Sequence, residues 1–175
     1  MSQTRLSPEK WLNAGLEALG NHGPAALGAE PLARALKTTK GSFYWHFKDV
    51  PAFHAAVLEH WRGITLAALR VMTESDLSAD RSLRQFGRSV LEDPVEPHLR
   101  AWAQDDAAVA RILATLDEAR LDYLRLLLRQ LGLRNADFAR ALQATLIGLP
   151  QLAPGVPQGQ IAIFDTMVDT VLALA

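Results

Sequence analysis

The stretch Thr39-Lys40-Gly41-Ser42-Phe43-Tyr44-Trp45-His46-Phe47-Lys48-Asp49 decides how the rest of this chain is read. Four of the chain's twelve aromatic residues, Phe43, Tyr44, Trp45 and Phe47, fall within five positions here. Thr39 and Asp49 are both good N-caps, so the segment reads as a short helix ending near Phe47 with another starting just after it. Phe43 and Phe47, four residues apart, share one helical face and are expected to anchor the helix on the two helices before it. Gly41 and Trp45 then point away from that core, with Ser42, Tyr44 and His46 at the flanks. A large exposed indole beside a tyrosine is a surface that calls for a partner.

Working outward, the flanks also read as helix. Ser7-Pro8-Glu9 supplies an N-cap, a proline at the first helical position and an acid on the helix dipole. Leu12, Leu16 and Leu19 follow at helical spacing, and Gly20-Asn21-His22-Gly23-Pro24 ends that helix. A second short helix is expected at about residues 29–36, broken at Lys37-Thr38. Asp49 caps a fourth and long helix, to about Thr73, with Pro51 tolerated in its first turn. Further helices are expected at about 79–91, 97–103, 105–131, 136–149 and 158–174. A proline-rich turn over residues 150–157 separates the last two. With no strand alternation and no internal repeat, the fold class is all-α, about nine helices. The expected organisation is an N-terminal domain over residues 1–50 and a helical domain over residues 51–175, joined by the fourth helix.

Composition narrows the chemistry. The chain has 175 residues and no cysteine, which excludes disulfides, zinc–thiolate sites, iron–sulfur clusters and cysteine nucleophiles. No apolar run is long enough to span a membrane and no signal-peptide pattern follows the first residues, so a cytoplasmic protein is expected. The net charge of −1 is unevenly distributed: all four lysines, Lys10, Lys37, Lys40 and Lys48, lie in the first 48 residues. No acid occurs from Lys37 to Lys48. A basic patch in an otherwise acidic chain points toward a polyanion. His-Glu-x-x-His, Gly-x-Ser-x-Gly, Gly-x-Gly-x-x-Gly and the P-loop are all absent, so the chain is expected not to be an enzyme and to need no cofactor or metal. The remaining alternatives are a metal site from His54, Glu59 and His60, or a helical ligand-binding or protein-interaction module whose Tyr44-Trp45 surface meets a protein.

Two short helices joined by a tight turn form a helix-turn-helix, whose second helix enters a major groove of duplex DNA. Thr39, Lys40, Gly41 and Ser42 make its first turn, where free amides and the helix dipole favour a phosphate. Lys40 can reach a guanine edge or a phosphate, and Ser42 a base edge. Tyr44, His46 and Lys48 are expected on phosphates, fixing register. Trp45 completes the candidate DNA-binding surface.

Leu32-Ala33-Arg34-Ala35-Leu36 followed by Thr39–Asp49 resembles the DNA-binding region of TetR-family transcriptional regulators, over about residues 7–62. The Ser-Phe-Tyr-Trp-His-Phe run is the specific part. The resemblance implies a homodimeric, ligand-responsive DNA-binding protein, usually a repressor. Three positions depart from the family pattern. Lys37 stands where the turn usually has glycine, which strains the backbone if φ is positive. Val50 stands where a basic residue is frequent, which moves one phosphate contact to Lys48 or removes it. Gly28-Ala29-Glu30 lacks the usual polar contact to the DNA backbone, so weaker operator binding is expected.

In the C-terminal part, two apolar faces are candidates for a dimer interface. One is Phe138, Leu142, Leu146 and Leu149; the other is Ile161, Phe164, Val168, Val171 and Leu172. Two helices from each subunit would form a four-helix bundle. A pocket for a small apolar ligand is expected to use Trp61, Phe86, His98, Trp102 and Tyr123.

Overall fold

The computed structural model describes residues 6–152 and 157–174. Nine α-helices and one 3-10 turn account for the regular structure among the described residues. They are α1 (Pro8–His22), a 3-10 turn (Pro24–Ala26), α2 (Ala29–Ala35), α3 (Lys40–His46), α4 (Val50–Thr73), α5 (Ala79–Leu91), α6 (Glu96–Trp102), α7 (Ala107–Gln130), α8 (Ala136–Leu152) and α9 (Pro157–Leu172). None of these helices is long and apolar enough to cross a membrane.

Local chemistry sets most of the boundaries. Ser7 Oγ accepts the Lys10 amide at the start of α1, with Pro8 in the first turn. Asp49 Oδ1 accepts the Ala52 amide at 2.8 Å and opens α4. Asp106 Oδ1 accepts the amides of Ala108 and Val109, so α7 begins after Asp106 rather than at Asp105. One expected boundary is overturned: α8 runs through Pro150 to Leu152 instead of stopping at Leu149. Pro150 lacks the amide that would bond Leu146 O, so α8 goes without one backbone hydrogen bond two residues before its end. Residues 153–156 of the expected proline-rich turn lie outside the described residues.

The chain forms two compact units. The first takes residues up to Ile64 together with Pro94–Leu113, and the second takes Thr65–Asp93 together with Ala114 onward. This division falls inside α4 and inside α7, not at residue 50 where the helix pattern changes. In the first unit, α1 packs on α2, α6 and the 3-10 turn, and α2 packs on α3. Gly23, with φ 75°, ends α1 and lies over the His98 ring of α6, leaving no comfortable room for a side chain. Trp11, Leu19, Leu27, Leu32, Phe43, Phe53 and Leu99 are fully buried there.

The second unit is aliphatic. Leu83, Phe86, Val90, Leu124, Leu127, Leu128, Leu142, Leu146, Phe164 and Val168 belong to one core cluster, with α5 against α9 as its closest pairing. The Phe164 ring lies directly on Gly87, in the space a Cβ would take. Arg84 of α5 bridges Asp165 and Asp169 of α9 along the edge of that contact. The paired carboxylates hold the guanidinium in its charged form, raising its pKa.

Candidate nucleic-acid interface

The candidate interface is built on three helices of the first unit. After α2, the Thr38 amide bonds Ala33 O at 2.9 Å and the Lys37 amide bonds Arg34 O at 3.1 Å. These two bonds define a Schellman turn, whose bend residue takes a left-handed conformation. Lys37 occupies it at φ 52°, the only positive φ among the described non-glycine residues. The turn delivers the chain to Thr39, whose Oγ1 accepts the Ser42 amide at 3.3 Å and caps α3. One first-turn amide of α3 is therefore already used by its own cap.

The inner face of α3 is an aromatic cluster. Phe43 is fully buried, and its ring centroid lies 5.4 Å from Trp11, 5.4 Å from Phe47 and 5.1 Å from Phe53. Phe47 lies 4.8 Å from Phe53. The edge-to-face pairs among these, Phe43 with Trp11 and Phe53 and Phe47 with Phe53, add about 0.5–1.5 kcal/mol each beyond area burial. The ring partners thus come from α1 and α4, whereas the aromatic spacing alone suggested α1 and α2. Nothing in local spacing ties Trp11 or Phe53 to α3; only the crossing of α1 with α4 does. That crossing is close because Gly15 of α1 meets Phe53 and Val57 of α4, where an added Cβ would sit 2.9 Å from both side chains.

With its inner face fixed, α3 presents the predicted residues outward together. Thr39, Lys40, Gly41, Tyr44, Trp45 and Lys48 are exposed, and Ser42 and His46 are half-buried. Trp45 is 63% exposed and Tyr44 45%. The Lys40 ammonium lies 5.8 Å from the Tyr44 ring centroid, a cation–π arrangement that holds both side chains on one side of the helix. His46 stacks edge-on against Trp45 at 5.0 Å. Its Nε2 is buried without a hydrogen-bond partner among the described residues. Lys37 adds a further exposed cation just before α3. The surface therefore joins lysine ammoniums, a phenol and an indole on a short helix that is rigidly backed, which is chemistry suited to phosphates and base edges.

The other candidate residues are placed differently. His54 Nε2 contacts Leu27 O at 3.2 Å, and His60 Nε2 contacts Asn13 Oδ1 at 2.8 Å. Glu59 binds Arg62, which lowers the pKa of its carboxyl. The three residues considered for a metal are thus committed to separate partners, and no group of three possible metal ligands occurs among the described residues. The five residues considered for a ligand divide between the units. Trp61, His98 and Trp102 belong to the first; Trp61 is buried, and Trp102 packs edge-on against His54 at 5.3 Å. Phe86 and Tyr123 belong to the second, with rings 5.4 Å apart in its core. The Tyr123 hydroxyl donates to Met72 O at 3.4 Å, and burial pushes its pKa up.

The faces expected to meet a second subunit are occupied by the chain's own core. Leu142, Leu146 and Leu149 of α8 and Phe164, Val168 and Val171 of α9 are buried in the second unit, and Phe138, Ile161 and Leu172 pack against the same cluster. What α8 and α9 expose instead is a sparsely charged surface including Ala141, Ala144, Leu152, Ala162, Ile163, Thr166 and Thr170. Leu152 is 84% exposed and Ile163 49%.

Comparison with known proteins agrees with this layout. Residues 12–49 match the family model described as bacterial regulatory proteins, tetR family. No curated protein matches the chain. Among solved structures, a transcriptional regulator from Rhodococcus sp. Rha1 is similar at TM-score 0.77 and 21% identity, covering 97% of this chain and 98% of that one. A TetR-family transcriptional regulator from Streptomyces coelicolor is similar at TM-score 0.76 and 18% identity, covering 95% of this chain and 89% of that one. The reduced form of NemR from E. coli is similar at TM-score 0.68 and 17% identity, covering 95% and 94%. At these identities the likeness is one of fold.

Proposed function

We propose, from the premise that residues 12–49 are a TetR-family helix-turn-helix region, that this chain is a cytoplasmic transcriptional repressor that binds a pseudo-palindromic operator as a homodimer. The observation that carries this reading is the outward face of α3, where Trp45 is 63% exposed beside Tyr44, Lys40 and Lys48 while Phe43 beneath is fully buried. An exposed indole on a rigid, basic, seven-residue helix fits insertion into a major groove. Lys40 reads base edges; Tyr44, His46 and Lys48 grip phosphates.

Dimerisation sets two copies of α3 about one DNA turn apart, ~34–36 Å. With the leucine faces of α8 and α9 spent inside the chain, the outward surface around Ala144, Ile163 and Leu152 is the part of those helices left for a twin subunit. A small apolar ligand releases the operator, and it can do so only by binding the DNA-competent and incompetent conformations unequally. Trp61, Phe86, His98, Trp102 and Tyr123 remain the residues to substitute in locating its site.

Fluorescence anisotropy against duplexes selected from random DNA tests the reading. Tyr44→Ala is expected to weaken binding to all sequences, and Lys40→Ala to blunt discrimination among them. Removing a cationic side chain from a phosphate lowers the slope of log affinity against log salt by about 0.9. Equal binding by Tyr44→Ala and the unaltered chain would remove α3 from the interface.

A further inference from the structure

Where α7 turns into α8, a recess of about 100 Å³ opens within the second unit. Leu128, Leu133 and Ala139 give it apolar walls, and Arg125, Arg129 and Arg134 line it with positive charge. Asn135 and Ala136 bring the amino end of α8, a 17-residue helix, to the same place.

Two of these three charges, those of Arg129 and Arg134, are uncompensated among the described residues. No acid occurs between Asp122 and Asp137. Asp122 is 2.9 Å from Arg125, and Asp137 is 3.3 Å from Arg140. The guanidinium groups of Arg129 and Arg134 have no hydrogen bond or ion pair among the described residues. They are also not needed to satisfy the carbonyls at the end of α7. The Gly132 amide bonds Arg129 O at 3.1 Å and the Leu133 amide bonds Leu128 O at 2.9 Å. Gly132, with φ 86°, folds the chain back so that Arg134 lines the same recess as Arg129. Like charges held around an apolar floor repel one another, and an anion between them removes that repulsion. Guanidinium forks match the geometry of phosphate oxygens in particular.

We propose that this recess binds the phosphate group of a small phosphate monoester, with Arg129 and Arg134 as its donors and Leu128 and Leu133 against the ester's carbon group. The site uses none of the residues of the candidate DNA-binding surface, and its success or failure is independent of that reading.

Calorimetric titration of the full chain with phenyl phosphate, inorganic phosphate and benzoate, in low-chloride buffer, tests it. Phenyl phosphate is expected to bind tightest, exceeding benzoate by about tenfold, and the Arg129→Gln/Arg134→Gln variant to lose about tenfold in affinity with unchanged circular dichroism. Asp122→Asn, which releases Arg125, is expected to tighten binding. Undiminished affinity in the double variant, preference for benzoate, or no binding at millimolar concentration overturns the proposal. So does a double variant that loses duplex-DNA affinity while the unaltered chain ignores phenyl phosphate, since the arginines then serve DNA.

Discussion

Two chain reversals in this molecule use the same pair of hydrogen bonds but differ in the residue at the bend. After α2 the bend is Lys37 at φ 52°; after α7 it is Gly132 at φ 86°. In each, the amide one residue past the bend reaches back to a carbonyl five positions earlier, at 2.9 Å. Glycine takes a left-handed conformation without penalty, whereas a side chain there costs about 1–2 kcal/mol. The geometry of the reversal is therefore set by the hydrogen bonds and the helices they join, and the bend residue only modulates its cost. Beside α3 that cost is accepted and an exposed cation results; beside α8 it is avoided.

Gly132→Val breaks the comparison most severely. A Cβ there meets no atom within 4 Å, so the whole loss is backbone strain. A β-branched residue at positive φ is expected to lower unfolding free energy by about 2 kcal/mol in chemical denaturation, above the left-handed penalty of an unbranched residue. Gly132→Lys makes the two bends alike and is expected to cost about 1 kcal/mol by the same measurement. If it costs nothing, Lys37 carries no strain either. Lys37→Gly has the smallest and opposite effect. Relief of strain outweighs the added freedom of the unfolded chain, and stability is expected to rise by up to about 1 kcal/mol. In the same variant, duplex-DNA binding is expected to lose about 0.9 of salt slope if Lys37 touches a phosphate, and none otherwise.

The contrast also explains which parts of the site were legible. Thr39, Phe43, Phe47 and Asp49 act locally: caps and an i, i+4 pair are readable from neighbours alone, so the helix and its outward face follow from spacing. The Lys37 bend was readable only by position, as a residue standing where glycine is usual. Pro150 misled because a proline near a helix end removes a single hydrogen bond, and the two residues after it can still stay helical. The faces of α8 and α9 show a different limit of periodicity. Leu142, Leu146, Phe164 and Val168 have the periodicity of a buried stripe, but a stripe states that it is covered and not by what.

Residue order along the chain determined an all-helical protein whose basic, aromatic third helix carries a tyrosine and an indole on one side and two phenylalanines on the other. Those features depend on interactions within a few residues, where bond geometry leaves little choice. Folding in three dimensions decided what covers each apolar face, that Trp11 and Phe53 back Phe43, and that Arg129 and Arg134 line one recess. Each of these joins positions far apart in sequence or separated by a reversal, and their meeting is selected by close packing of whole helices, which no local pattern encodes.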